Sequence, residues 1–254
     1  SGLTREKHRY GKHWRQYFLL YECEASKSSD KAIVIYYHGG AWMFGSPEMF
    51  AGNAKFFTDR GHIVFMPSYR RLPLYSGKGV LADSVLALQQ IGRVIKERGW
   101  EGRKIIMGGM SGGGNLAAVL YFDESHWGQS TLKRAYVVGL LLNAAPLNLN
   151  AIFPNPIIYR YAGRRGSSFY RKVNPIALLG KREGISILLI HGDKDGMVPY
   201  NSALTFVHRC HEIGLDNLTF HCLGNGGHMD AARWIYEENS SGEWIERWLE
   251  DFDC

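Results

Sequence analysis

Short β-branched runs alternate with helix-like segments along this chain, and that rhythm constrains its fold more than any other feature. Residues 32–37, 62–66, 104–107, 135–142, 185–190 and 218–222 read as strands, most of them unbroken apolar runs of the kind buried on both faces. Helices are expected at 84–97, where Val85, Leu88, Ile91 and Ile95 recur at helical spacing, and at 116–122, 201–213 and 230–252. The last is expected to break near Gly242. Residues 17–23 alternate less clearly and read as an antiparallel edge strand. Strands alternating with helices imply βαβ units, hence an α/β class with a mostly parallel central sheet flanked by helices. The rhythm breaks at 143–180, which holds four of the eight prolines and scattered aromatics. With Lys181 and Arg182 it reads as a lid insertion over 143–182, within a single domain spanning 1–254.

Composition excludes several classes. A 45% hydrophobic, 13% aromatic chain is not a disordered one. No apolar run approaches the ~18 residues that span a bilayer, so no integral membrane segment is expected. Four cysteines (Cys23, Cys210, Cys222 and Cys254) show neither a CxxC pair nor metal spacing. They read as free thiols in a reducing, cytoplasmic compartment, and residues 1–16 lack the apolar core of a signal peptide.

The net charge of +6 is unevenly placed. Between Ser125 and Arg182 there is no Asp or Glu, but nine basic residues: Lys133, Arg134, Arg160, Arg164, Arg165, Arg171, Lys172, Lys181 and Arg182. The remainder holds 21 basic residues against 24 acidic ones. A lid carrying the excess asks what approaches it, such as an anionic substrate, rather than implying nucleic acid, for which no module is recognisable.

Chemistry concentrates at the ends of the strands. Gly109-Met110-Ser111-Gly112-Gly113 lies between a strand and a small-residue helix. Such a strand–turn–helix holds a serine on a strained turn with its Oγ exposed, and the flanking glycines avoid a clash where helix and strand cross. His38-Gly39-Gly40-Ala41-Trp42 follows another strand. Its backbone N–H groups at Gly39 and Gly40, with that of Gly112, are placed to receive an oxyanion. His38 is expected to hold this loop in shape rather than to act as a base. A serine needs a base and the base an orienting acid. Strand 185–190 runs into His191-Gly192-Asp193-Lys194-Asp195, which offers two carboxylates. Gly226-Gly227-His228 follows strand 218–222. The order is therefore Ser, Asp, His along the chain.

Over nearly its whole length the sequence resembles the α/β-hydrolase superfamily. Within it, His38–Trp42 and the Ser111 segment GMSGGGNLA resemble the hormone-sensitive-lipase-like esterases. The Trp of HGGAW is similar to the HGGxW branch that includes kynurenine formamidases. Tyr69-Arg70-Arg71-Leu72-Pro73 with Asp83 resembles a further segment of that group. The family's HGxxDxxVP motif matches His191–Pro199 and implies Asp195, not Asp193, as the acid. Met110 stands where the family usually has an acid before the serine, Ala41 where its loop has a third glycine, and only 37 residues precede His38.

The resemblance implies a serine hydrolase with Ser111, Asp195 and His228 as triad, acting on small carboxylic esters without metal or organic cofactor. An amidase of the arylformamidase type uses the same triad and stays open. A non-catalytic receptor on this fold typically lacks a triad member, and all three are present here. Trp42, Met43, Phe44 and Met110 are the expected pocket residues, and the lid aromatics stay open between a substrate wall and ordinary packing.

Overall fold

The computed structural model describes residues 2–128, 130–180, 185–236 and 240–252. Its centre is one eight-stranded sheet of order β1-β2-β4-β3-β5-β6-β7-β8. In chain order the strands are β1 (Thr4–Arg9), β2 (Tyr17–Glu22), β3 (Ile33–Tyr37), β4 (Ile63–Pro67), β5 (Ile105–Met110), β6 (Val137–Asn143), β7 (Ser186–Gly192) and β8 (Leu218–Leu223). β1 and β2 run antiparallel to their neighbours, and every pairing from β4 to β8 is parallel. Before β6 come a short helix α1 (Glu24–Ser28) and the longer α2 (Ala51–Thr58), α3 (Gly77–Glu97) and α4 (Gly112–Phe122). Short helices α5 (Pro156–Ala162), α6 (Ser168–Lys172) and α7 (Pro175–Leu178) lie between β6 and β7. α8 (Tyr200–Glu212) and α9 (Ser240–Glu250) complete the chain.

The strand period of two divides the core. Ile33, Ile35 and Tyr37 of β3 join a cluster with α3, α4 and α8, while Val34 and Tyr36 face α2 and α9. Phe206 of α8 and Phe57 of α2 are each fully buried, one per face. Deleting either to Ala has the scale of a core truncation, about 3–5 kcal/mol. Because the strands from β3 on are parallel, their carboxyl ends share one edge, where ligand sites of such sheets form.

Three expectations shift, and two elements, β1 and α2, had none. The strand 17–23 is not at the edge: β1 lies outside it, and all six residues of β2 are buried. β1 reads TREKHR, so it has no apolar signal, and its charges suit an exposed edge. α3 starts at Gly77, a glycine-containing first turn that hides the periodicity beginning at Val85. α2 follows a 3₁₀ turn (Pro47–Phe50) and had no clear sequence signal. The terminal segment divides into a 3₁₀ stretch (Met229–Ile235) and α9, and Gly242 lies inside α9 rather than at the break.

Lys181, Arg182 and Cys254 lie outside the described residues. Among the described residues Cys23, Cys210 and Cys222 are free, and no helix is long and apolar enough to cross a membrane.

Candidate active site

Ser111 joins the end of β5 to α4 with φ 53° and ψ −124°, a backbone state that costs a non-glycine residue of order 1–3 kcal/mol. Close packing enforces it. A Cβ on Gly109 would fall 2.6 Å from the Tyr37 carbonyl oxygen, and one on Gly113 would run into the carbonyls of Tyr37 and His38. The Ser111 N–H donates to the Asn143 carbonyl at the end of β6 (2.8 Å).

The loop after β3 carries three consecutive left-handed residues, Gly40 (φ 116°), Ala41 (52°) and Trp42 (58°). At Gly40 a Cβ would lie 2.5 Å from the Phe44 carbonyl oxygen, so only glycine fits. The N–H groups of Met43 and Phe44 both donate to the Gly40 carbonyl. Among the described residues the N–H groups of Gly40 and Ala41 find no acceptor. Gly112, at the first position of α4, has an N–H without an intrahelical partner. Gly39 lets the loop pass close to the end of β5, for a Cβ there would sit 3.1 Å from the Met110 carbonyl oxygen.

Neighbours hold this strained loop. Trp42 is buried, its indole N–H donates to the Gly112 carbonyl (3.0 Å), and its ring stacks on Tyr161 of α5. Tyr161 in turn donates its hydroxyl to Asn115 Oδ1 of α4 (2.7 Å). Leu72 N–H donates to the Trp42 carbonyl (3.0 Å), and Arg71 to that of Gly45. Arg70 forms a two-pronged pair with buried Asp83 (2.9 and 2.7 Å). The Tyr69–Pro73 segment therefore braces the loop.

His38 also has a structural place. It is buried, stacks on Tyr69 with centroids 4.6 Å apart, and lies 2.9 Å by Nδ1 from the Gly39 carbonyl. Burial pushes its pKa down to about 4, so the ring is neutral at pH 7.

The loop after β7 presents Asp195. Its Oδ1 accepts from the N–H groups of Met197 and Val198, both at 2.8 Å. Its Oδ2 lies 2.7 Å from His228 Nδ1, which must be the donor because a carboxylate only accepts. Burial opposes the carboxylate's charge, but the hydrogen bonds from His228, Val198 and Met197 outweigh it and hold its pKa below the usual range. His191, fully buried, lies 2.9 Å by Nε2 from the Val198 carbonyl and 3.4 Å from Asp195 Oδ2. Burial depresses its pKa. The two loops are tied by Asp193 N–H to Leu223 O (3.2 Å) and Lys194 N–H to Gly226 O (2.9 Å).

Among the described residues Ser111 Oγ makes no hydrogen bond to His228. The two are linked through Asn143, whose carbonyl accepts from Ser111 and whose Nδ2 donates to the Ala231 carbonyl (2.9 Å), three residues beyond His228.

Ser111 borders a cavity of about 150 Å³. Ala41, Trp42 and Gly112 form one side, Pro146, Ile152, Ile157 and Ile158 another, and Met197 and Val198 a third. Of the expected pocket residues only Trp42 lines it. The tight turn onto the Gly40 carbonyl sends Met43 against the core and leaves Phe44 64% exposed. Met110 is buried in β5. The side chains that the stretch after β6 gives to the cavity are mainly aliphatic, not aromatic: Phe153 and Tyr159 are exposed, while Tyr161 and Tyr170 are buried outside the lining. Ala41 was missed, though its place after two glycines marked it.

The sequence matches the family described as alpha/beta hydrolase fold over residues 34–152. The chain has the α/β-hydrolase fold. It is 28% identical over 116 residues to arylacetamide deacetylase-like 4 of Homo sapiens, covering 45% of this chain and 28% of that protein. It is 33% identical over 89 residues to carboxylesterase NlhH of Mycobacterium tuberculosis, covering 35% of this chain and 28% of that one. The chain thus spans less than a third of these curated relatives. A truncated carbohydrate esterase from gut microbiota superposes with a TM-score of 0.82 at 17% identity, covering 98% of this chain and 96% of that one.

Proposed function

We propose that the chain hydrolyses small neutral carboxylic esters through an acyl-enzyme on Ser111. The observation that carries this reading is a serine on a strained turn beside an apolar cavity, on the sheet edge that also carries a hydrogen-bonded His228–Asp195 pair. Ser111 Oγ attacks the ester carbonyl while His228 takes its proton. Asp195 fixes the ring tautomer and stabilises the imidazolium. The N–H groups of Gly39, Gly40 and Gly112, joined by that of Ala41, receive the developing oxyanion. His228 then protonates the leaving alkoxide, and water attacks the acyl-enzyme by the reverse route.

The cavity sets the acyl group. Its lining has no charged side chain, which supports a neutral acyl chain over an anionic one, and its 150 Å³ suits a short chain. Arg165 donates to the carbonyls of Asn150 and Ile152, and Arg160 to that of Pro73, so these lid cations brace loops rather than face the serine. The free thiols of Cys23, Cys210 and Cys222 support a reducing compartment such as the cytoplasm.

The test compares p-nitrophenyl esters of rising chain length with N-formylkynurenine, using Ser111→Ala as control. Acetate to butyrate turnover that vanishes in Ser111→Ala is the expected result. Dominant turnover of the formamide would replace the ester reading by an amidase. Full activity in Ser111→Ala would remove the nucleophile.

A further inference from the structure

Large exposed apolar side chains gather at the carboxyl edge of the sheet. Trp14 (60% exposed), Leu74 (85%), Phe153 (84%) and Tyr159 (68%) come from three separate segments: the β1–β2 turn, the β4–α3 loop and the stretch after β6. Those segments touch one another. Tyr10 donates its hydroxyl to the Ser68 carbonyl (2.6 Å), His13 packs edge-on against Tyr75 (5.4 Å), and Arg160 donates to the Pro73 carbonyl (3.0 Å). The apolar groups therefore form one face beside the cavity that Ile152, Ile157 and Ile158 line.

Within these three segments the charge has one sign, and the acid beside them, Glu48 of the loop after β3, is held by the Tyr17 hydroxyl (2.9 and 2.8 Å). Residues 7–21, 68–82 and 144–180 contain no Asp or Glu. Lys12, Lys78, Arg160, Arg164 and Arg165 are exposed along them. Asp83, the nearest acid in sequence to the β4–α3 loop, is buried and neutralised by Arg70. The opposite side of the mouth is different, with Asp193 after β7 and Asp230 after His228. A monomer's surface rarely gathers apolar groups without a partner.

We propose that this face docks the protein on an anionic phospholipid membrane. Clustered Lys and Arg draw a protein to anionic headgroups. Trp, Tyr, Leu and Phe side chains then enter the interfacial layer, where aromatic rings settle at headgroup depth. Nucleic acid would satisfy the cations, but phosphates gain nothing from exposed Leu74 and Phe153. Docked in this way, the cavity mouth faces the layer into which apolar esters partition. Only that delivery step rests on the proposed esterase reading; the docking does not.

Co-sedimentation tests it, using vesicles of phosphatidylcholine alone and of equal parts phosphatidylcholine and phosphatidylglycerol. The protein is expected to pellet with the anionic vesicles at low salt and to leave them at high salt. Lys12→Glu/Arg164→Glu should lower partitioning roughly tenfold or more. Leu74→Ser/Phe153→Ser should lower it several-fold, and Ser111→Ala should bind as the parent does. Both double variants should keep the parent's thermal midpoint and its activity on soluble p-nitrophenyl acetate, since none of the four residues lines the cavity. Equal pelleting with the two vesicle types overturns the proposal. So does full binding by Leu74→Ser/Phe153→Ser, or competition by duplex DNA as effective as that by anionic vesicles, because either makes the face a charge patch alone. Binding without any esterase activity would sink the catalytic reading and leave the docking intact.

Discussion

Tyr161 lies flat against Trp42, with ring centroids 3.7 Å apart and planes 7° from parallel. That stack joins the stretch between β6 and β7 to the loop proposed to bind the oxyanion. The Tyr161 hydroxyl extends the joint to Asn115 of α4, whose Nδ2 donates to the carbonyls of Pro146 (2.9 Å) and Val173 (3.2 Å). This part of the proposed lid is a fixed wall, because opening it would break a buried network rather than lift a flap.

Tyr161→Phe keeps the stack but leaves Asn115 Oδ1 buried without its donor. The expected cost is about 1–3 kcal/mol. For a chain of this size that lowers the thermal midpoint by roughly 2–10 °C. Calorimetry checks it. A midpoint unchanged from the parent would show that the hydroxyl contributes nothing and that the wall is held by stacking alone.

The two carboxylates after β7 give a sharper contrast. Asp195 meets His228, while Asp193 uses its backbone N–H to tie the loop to Leu223. Asp195→Asn should lower kcat on p-nitrophenyl acetate by about 10⁴, the scale seen when a triad acid loses its charge and the histidine takes the wrong tautomer. Asp193→Asn should stay within a few-fold of the parent. A reversed order would reassign the acid.

Much of this was readable from residue types, and the reason is backbone geometry. The turn at Ser111 and the loop at Gly40 both demand conformations or clearances that glycine supplies, so the sequence announces them. Residue types alone left Asp193 and Asp195 open, and only the resemblance of His191–Pro199 to a family motif pointed to Asp195, the carboxylate that lies 2.7 Å from His228 Nδ1. β1 was not legible, because a solvent-facing edge strand of TREKHR has no apolar pattern. The cavity wall was not legible either. Which side chains of 143–180 face Ser111 depends on how α5 docks, and Tyr161 fixes that docking through contacts distant in sequence. Phe44 and Met43 misled for the same reason: adjacency in sequence to Trp42 does not survive a tight turn.

Stability should depend on pH through His38. Its pKa is about 4 in the fold against 6.5 unfolded, so between those values the unfolded chain binds more protons. Stability is therefore complete above pH 6.5 and declines as pH falls toward 4. The loss from this ring approaches ~3 kcal/mol. His191, also depressed by burial, adds a loss of the same sign. Urea midpoints measured across that window should fall with acid, and His38→Gln should flatten the slope. An equal slope in the variant would mean that His38 is not the group that resists protonation.

Asn143 couples the proposed nucleophile to its base. It ends β6, the strand between those that deliver Ser111 and Asp195. Its carbonyl fixes the Ser111 N–H and its Nδ2 fixes the Ala231 carbonyl, so one residue sets the spacing of the serine turn and the segment after His228. Its Oδ1 is buried and unpartnered among the described residues, so the amide is kept there for its donor. Asn143→Ala removes that donor while the backbone bond to Ser111 remains. Stability should drop by about 1–3 kcal/mol for the unpaired Ala231 carbonyl. A misplacement of His228 by even 1 Å should also lower kcat, by up to roughly 10²-fold. KM should hold, since Asn143 does not line the cavity. Fluorophosphonate labelling of Ser111, which also needs the aligned base, should slow in parallel with kcat. A variant that loses stability but keeps both rates would show that Asn143 only packs the strand end and does not position the pair.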